Sequence, residues 1–256
     1  MLLAIDIGNS NVVIGCVGEN HQVLAQFRMV TDLKKTGDEY AAGMRTILHF
    51  NKIQTEKFTG AIISSVVPTL TEPFREAAQQ ITGCRAMVVG SGLKTGLNIH
   101  IDNPASLGSD LVVASVAAMA EYPLPVIVID MGTATTITVV DEGNRYIGGA
   151  IVPGVALSMN ALASGTSLLQ KVTIEAPKKA ISATTATCMQ SGAVFGNAAM
   201  LDGMIDRFQQ ELGKEASIVA TGGMAEKIIP HCTHKIVYEE NLLMKGLSRI
   251  YQKNRK

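Results

Sequence analysis

Two stretches of the sequence share one pattern and decide the predicted fold: residues 3–14 (LAIDIGNSNVVI) and residues 128–139 (VIDMGTATTITV). Each is a short apolar run that ends in Asp-x-Gly and continues into β-branched residues. The apolar run is typical of a buried strand, the glycine permits a tight turn, and the β-branched residues favour a returning strand. Because the copies lie about half a chain apart, they indicate an internal repeat.

The two copies continue in step. A polar turn follows each one, at residues 18–20 and 141–144, and a further strand is predicted at residues 23–27 and 146–151. Each half should therefore open with a three-stranded meander, after which strands and helices alternate. Further strands are predicted at residues 61–67 and 217–220, and helices at residues 38–50, 69–81 (with Thr69 as N-cap and Glu72 three residues later), 107–122, 155–163, 185–212 and 241–251.

This alternation predicts an α/β protein of two domains, residues 1–115 and 116–256, each large enough to bury its own core. The 22 basic and 22 acidic side chains give a formal net charge of zero, so neither nucleic acid nor an anionic membrane is an expected partner. The apolar runs are far shorter than the ~18 residues of a membrane span. The chain begins directly with a strand pattern, which predicts a cytoplasmic protein.

The four cysteines are scattered along the chain, which argues against a zinc site or a disulfide framework. Cys16, Cys84, Cys188 and Cys232 form no CxxC pair, so we expect reduced thiols and no zinc site.

The two Asp-x-Gly loops have the chemistry of phosphate sites. Backbone amides and hydroxyls beside the glycine can donate to phosphate oxygens, and the aspartate can hold a cation that screens their charge. A single Asp-x-Gly is equally typical of an ordinary tight turn, whereas two matched copies favour phosphate binding. The candidate residues are Asp6, Gly8, Asn9, Ser10 and Asn11 in the first loop, and Asp130, Gly132, Thr133 and Thr135 in the second.

Glycine pairs follow two apolar strands of the second half, at Gly148-Gly149 and Gly222-Gly223. They permit close approach of the backbone to a nucleotide, although each could also be an ordinary turn. Asp110, in the segment Gly108-Ser109-Asp110-Leu111, is the remaining carboxylate of interest. It could accept a proton during phosphoryl transfer, or it could simply be an acidic residue favoured at a helix N-terminus.

These motifs together resemble the type III pantothenate kinases, which phosphorylate pantothenate in the first step of coenzyme A synthesis. The resemblance covers nearly the whole chain. It rests on residues 6–10, 65–68, 95–97, 103–104, 130–136, 148–154, 190–192 and 221–223.

The resemblance implies two duplicated ribonuclease-H-like (actin-like ATPase) domains with mixed sheets flanked by helices, in a homodimer whose acceptor site lies near the interface. It implies ATP and pantothenate as substrates, Mg²⁺ with ATP, and K⁺ or NH₄⁺ as a monovalent cation. Asp110 would be the general base, Asp6 would help to place Mg²⁺, and Asp130 would lie near the monovalent cation. Gly108, Ser109, Leu111, Thr166 and Thr185 would lie on the substrate side.

One position departs from the family motif, which usually reads Gly-x-Asp-Arg: Leu111 follows Asp110 in this chain. A leucine side chain cannot supply the hydrogen-bond donors of a guanidinium group. Two alternatives to pantothenate phosphorylation therefore stay open. One is a nucleotide-binding regulatory homologue with weak or no kinase activity, and the other is a kinase of another small hydroxylated acceptor.

Overall fold

The computed structural model describes residues 1–255, which fold into two compact units. The first unit combines residues 1–97, 102–120 and 241–255, and the second combines residues 98–101 and 121–240. The strands are β1 (Leu2–Ile7), β2 (Asn11–Val17), β3 (Val23–Val30), β4 (Gly60–Ser65), β5 (Met87–Val88), β6 (Asn98–Ile99), β7 (Val126–Met131), β8 (Ala134–Val140), β9 (Arg145–Pro153), β10 (Ser217–Thr221) and β11 (Val237–Tyr238). The helices are α1 (Gly37–Phe50), α2 (Pro68–Thr82), α3 (Ser109–Glu121), α4 (Val155–Gly165), α5 (Thr185–Ser191), α6 (Asn197–Leu212), α7 (Ala225–Ile228) and α8 (Leu242–Asn254).

The first unit is built on a mixed sheet in the order β3-β2-β1-β4-β5. β1, β2 and β3 form the predicted antiparallel meander, and β4 pairs parallel with β1. Alternate residues of β1, including Leu3 and Ile5, face a core that α1 and α2 close with Tyr40 and Phe74. These two rings lie 4.1 Å apart, a contact that adds about 0.5–1.5 kcal/mol to the burial of their surfaces.

The ends of α1 and α2 differ from what the sequence pattern suggests. Thr36 caps α1 and forms a reciprocal capping box with Glu39, so this helix begins before the predicted Asp38. The predicted cap at Thr69 is wrong. α2 begins with Pro68 at its first position, where the missing N–H and the fixed φ of proline suit a helix start.

The second unit repeats the plan around a mixed sheet in the order β11-β10-β7-β8-β9-β6. β7, β8 and β9 are its antiparallel meander, and β10 pairs parallel with β7. The predicted helical stretch 185–212 is three segments, because a π-helical turn at Gly192–Gly196 separates α5 from α6. Such a turn shifts the direction of the side chains beyond it.

The C-terminal helix belongs to the first unit, whereas the predicted domain boundary placed it with residues 116–256. α8 packs on β1, β2 and β4 of the first sheet, on the face opposite α1 and α2. Gly15 makes this possible, because a Cβ there would overlap Met244. The boundary prediction followed the linear repeat, and a long-range contact of this kind leaves no local pattern to read.

Among residues 1–255, none of the helices combines the length and the apolar character that crossing a bilayer would require.

Candidate active site

The first Asp-x-Gly loop is an exposed turn that hydrogen bonds from Gly8 and Thr31 hold in place. The Gly8 amide donates to the Asn11 carbonyl over 3.0 Å, and Thr31 closes the other side: its hydroxyl donates to the Gly8 carbonyl over 2.7 Å and its amide to the Ser10 carbonyl over 3.1 Å. Asn9, Ser10 and Asn11 are exposed at the tip. The loop therefore presents polar groups on a fixed backbone, as a phosphate site requires.

The second loop is similar but one residue shorter. Gly132 donates to the carbonyl of Ala134, two residues on, over 3.0 Å, whereas Gly8 bonds three residues on. The Gly154 amide donates to the Thr133 carbonyl over 3.0 Å, so the residue that precedes α4 is hydrogen-bonded to this loop. Gly132 and Thr133 are exposed, like the tip of the first loop. Both copies of the repeat therefore form a strand, a tight turn and a returning strand, and the second turn is one residue shorter than the first.

Thr135 differs from its neighbours in the second loop. Its side chain is fully buried on the face of β8 that carries Ile137, and its Oγ1 atom has no hydrogen-bond partner among residues 1–255. An unpaired buried hydroxyl is energetically unfavourable by about 1–3 kcal/mol. The Asp130 side chain points to the opposite face, because successive residues of a strand alternate.

Two glycines of the second unit, Gly222 and Gly149, fit closely against neighbouring backbone. Gly222 adopts φ +93°, and a Cβ on it would lie 2.6 Å from both the Asp130 Oδ1 atom and the Met131 amide nitrogen. Gly149 packs against the backbone of β8 in the same way, while Gly148 adopts φ +117° in open space. Gly222 is therefore required for β10 to end against Asp130.

Asp110 is the second residue of α3, in the first unit. Its Oδ1 atom accepts the Leu111 amide over 2.8 Å and lies against Gly108, where a Cβ would overlap it. Burial raises the pKa of the Asp110 carboxyl above its ordinary value, and hydrogen bonds from the Leu111 and Asp110 amides only partly offset this. A carboxylate whose charged form is disfavoured is a better proton acceptor than an exposed one.

Two serines join the start of α3, which carries Asp110, to the strand that lies beside Asp6. Asp6 lies opposite Ser64 in the parallel pair of β1 and β4, so both side chains leave the same face of the sheet. The Ser64 hydroxyl is 3.0 Å from the hydroxyl of Ser109, which immediately precedes Asp110. Sequence reasoning missed Ser64. Its position at the end of an apolar strand was the available signal, but serine is too common there to single out.

The other residues predicted to lie on the substrate side are each placed within one unit. Leu111 is half-buried on α3. Thr166 and Thr185 belong to the second unit: Thr166 follows α4 and donates its hydroxyl to the Leu162 carbonyl over 2.8 Å, and Thr185 is the first residue of α5.

No group of three or more metal-ligating His, Cys, Asp or Glu side chains occurs within the described range 1–255. This arrangement still suits Mg²⁺ in a phosphate site, since Mg²⁺ there is commonly held by one or two carboxylates together with the phosphates themselves. Asp6 and Asp130 each supply one carboxylate at a strand end beside an exposed loop.

Comparison with known proteins gives one consistent result. Residues 2–207 match the family model described as type III pantothenate kinase. A type III pantothenate kinase of Exiguobacterium sp. is 39% identical over 100% of both chains, and that of Shouchella clausii is 40% identical over 99% of this chain and 100% of its own. A Campylobacter jejuni structure, described as a conserved putative Baf family transcriptional activator, superposes with a TM-score of 0.62 at 19% identity, covering 98% of each chain. The predicted fold of two duplicated ribonuclease-H-like domains is confirmed, and the chain belongs to the type III pantothenate kinase family.

Proposed function

We propose that this protein transfers the γ-phosphoryl group of ATP to the primary hydroxyl of pantothenate, giving ADP and 4'-phosphopantothenate. The observation that carries this proposal is the 39–40% sequence identity with type III pantothenate kinases, which extends over the full length of the chain. The two loops and the buried carboxylate of Asp110 supply the chemistry that such a transfer needs.

Each group has a distinct part in the proposed reaction. The loop residues Asn9, Ser10, Asn11 and Thr133 donate hydrogen bonds to phosphate oxygens, while the amides of Gly8 and Gly132 hold the two turns by donating to the Asn11 and Ala134 carbonyls. Asp6 would hold Mg²⁺, which would screen the phosphate charge. Asp110 accepts the proton of the pantothenate hydroxyl while the oxygen of that hydroxyl forms the new bond to phosphorus. The bond from phosphorus to the bridging oxygen of ADP breaks, and Asp110 later releases its proton to water. Asp130 is proposed to lie beside K⁺ or NH₄⁺.

An acceptor assay tests this function. Purified protein is incubated with ATP, Mg²⁺ and K⁺, with pantothenate or another small hydroxylated acceptor, and ADP formation is compared with an acceptor-free blank. We expect turnover with pantothenate and a lower rate when Na⁺ replaces K⁺. Turnover with a different acceptor but not with pantothenate would overturn the proposed substrate. ATP binding without turnover of any acceptor would favour a regulatory homologue.

Leu111→Arg restores the charged residue of the family motif next to Asp110. We expect the KM for pantothenate to fall by about tenfold or more, since a hydrogen bond to a charged group contributes about 1.5–3 kcal/mol. Leu111→Met is the matched control, because it keeps an apolar side chain of similar volume. A KM that is equal in wild type and Leu111→Arg would mean that another group already binds the pantothenate carboxylate.

A homodimer is proposed through an apolar surface of the second unit. Large apolar side chains are exposed on β9, on α4 and in the segment that follows: Ile151, Leu157, Leu162, Leu168 and Ile181, the last at 93%. Exposed apolar clusters of this kind commonly mark protein interfaces. Thr166 and Thr185 lie in the same part of the chain, which supports an acceptor site near the interface.

Leu157→Asp tests the dimer. Leu157 is half-exposed on α4, so the change should leave the fold intact and yield monomers by placing a charge in the interface. Sedimentation at micromolar concentration is the measurement. Phe50→Asp is the control, because Phe50 is 79% exposed on the first unit. A monomeric wild type, or a Leu157→Asp variant that remains dimeric, would contradict this interface.

We also propose a cytoplasmic location. The four cysteines are free thiols, as is usual in a reducing compartment, and ATP is available there.

A further inference from the structure

The hydroxyl of Ser109 joins the start of α3 to the end of β4 by three contacts. The hydroxyl accepts a hydrogen bond from the Ser65 amide over 3.0 Å, donates one to the Ser65 carbonyl over 3.0 Å, and lies 3.0 Å from the Ser64 hydroxyl. Ser64 is fully buried and Ser65 is half-buried. Ser109 itself is half-buried, and its hydroxyl makes more contacts than the start of a helix requires.

These contacts satisfy backbone groups at the edge of β4 that the neighbouring strand β5 does not reach. Val89, just after β5, donates to the Ile63 carbonyl on one edge of β4 over 2.8 Å. Backbone groups two residues apart in a strand point to the same edge, so the N–H and C=O of Ser65 also face this edge. β5 ends at Val88 and cannot reach them. The Ser109 side chain therefore takes the place of the next residue of β5.

The donors and acceptors available to Ser109 determine the direction of its three hydrogen bonds. A serine hydroxyl has one proton and two lone pairs. Ser109 gives its proton to the Ser65 carbonyl, so it must accept from both the Ser65 amide and the Ser64 hydroxyl. Ser109 consequently has no proton left to donate to the neighbouring Asp110 in this arrangement.

We propose that Ser109, held by Ser64 and Ser65, is a positioning residue that fixes the Asp110 carboxylate relative to Asp6. Asp110 follows Ser109 directly on α3, and Asp6 lies opposite Ser64 across β1 and β4. The network thus fixes the start of α3, which carries Asp110, to the end of β4 beside Asp6, and all of its bonds lie within the first unit. This inference rests on the proposed function, in which Asp110 is the base and Asp6 holds Mg²⁺.

The expected effect is a loss of turnover with little change in substrate binding. In Ser109→Ala the start of α3 loses its attachment, and a displacement of the base by about 1 Å can lower kcat by about 10²-fold. We expect kcat to fall by about 10- to 100-fold, while the KM values for ATP and pantothenate stay within about threefold. Ser109→Thr keeps the hydroxyl and should retain kcat within about threefold of wild type.

Two further variants separate positioning from general stability. Ser115→Ala is the matched control, because Ser115 is a fully buried serine of the same helix whose hydroxyl has no partner among residues 1–255. It should leave kcat unchanged. Ser64→Ala removes only the bond that Ser64 donates to Ser109 and should lower kcat less than Ser109→Ala does. If Ser109→Ala does not fold, Ser64→Ala carries the test, with an unchanged kcat overturning the proposal.

The test combines kinetics with a titration. The Asp110 carboxyl is titrated by carbon-13 NMR in wild type, Ser109→Ala and Ser115→Ala; we expect its pKa to fall only in Ser109→Ala, as water reaches the displaced carboxylate. A kcat of Ser109→Ala equal to wild type, or a loss that Ser109→Thr shares in full, overturns the positioning role. Absence of transfer in wild type would instead refute the proposed function. In that case only the titration tests the positioning role of Ser109, and an Asp110 pKa that is unchanged in Ser109→Ala overturns the inference.

Discussion

Asp110→Asn is expected to abolish phosphoryl transfer to pantothenate while ATP binding stays nearly unchanged. Asparagine keeps the shape of the side chain and can no longer accept the proton of the acceptor hydroxyl. General base catalysis contributes about 10²–10⁴-fold, so kcat should fall by that factor. Steady-state kinetics and calorimetric titration with ATP measure the two effects separately.

A nearby carboxylate provides the control for this substitution. Asp102 is exposed in the segment that precedes α3, so Asp102→Asn removes one negative charge from the same region. We expect its kcat to match that of the wild type. An Asp110→Asn variant that is as active as Asp102→Asn would remove Asp110 from the mechanism.

The same substitution should also change stability. Because burial raises the pKa of Asp110 in the folded state, the ionised carboxylate destabilises the fold at neutral pH. The free energy of unfolding of Asp110→Asn should therefore exceed that of wild type near pH 7. The difference should disappear as the pH falls below the ordinary pKa of an aspartate, where the carboxyl is protonated in both states. Urea denaturation at several pH values measures it.

Gly222→Ala is expected to destabilise the second unit and to weaken ATP binding strongly. Gly222 has φ +93°, and a Cβ would lie 2.6 Å from the Met131 amide nitrogen and from Asp130 Oδ1. The left-handed conformation alone costs an alanine about 1–2 kcal/mol, and relief of the overlap requires a backbone shift worth about 1–3 kcal/mol more. That shift would displace Asp130 and the loop that follows it.

Gly213→Ala separates the two contributions. Gly213 ends α6 with φ +69°, and no atom lies within 4 Å of its Cβ position, so only the conformational strain applies. We expect a loss of about 1–2 kcal/mol in unfolding free energy and no change in ATP affinity. Equal effects of Gly213→Ala and Gly222→Ala on ATP affinity would show that the close packing at Asp130 is unimportant.

The features that the sequence predicted are those with local causes. Residues 3–14 and 128–139 give two meanders because apolar runs, a glycine turn and β-branched residues act within a dozen residues. The placement of α8 on the first sheet depends instead on room left by Gly15, more than 200 residues away in sequence. A pattern read within a short window cannot contain such a contact.

In the candidate site, too, features with local causes could be predicted and features that depend on long-range contacts could not. The Asp-x-Gly loops could be identified from their residues, whereas the one-residue difference between them depends on strand register. The burial of the Thr135 hydroxyl follows from side-chain alternation combined with the helices that cover that face. The contact between Ser64 and Ser109 joins residues 45 positions apart and depends on where β5 ends. The sequence does not specify that end.

The central claim is that this chain transfers phosphate from ATP to pantothenate with Asp110 as the base. Phosphorus-31 NMR of a reaction mixture containing the protein, ATP, Mg²⁺, K⁺ and pantothenate tests it most directly. The account predicts a phosphomonoester signal of 4'-phosphopantothenate that grows in step with ADP in the wild type and does not grow with Asp110→Asn. Release of ADP with inorganic phosphate as its only partner product, or equal phosphopantothenate formation by Asp110→Asn, would contradict it.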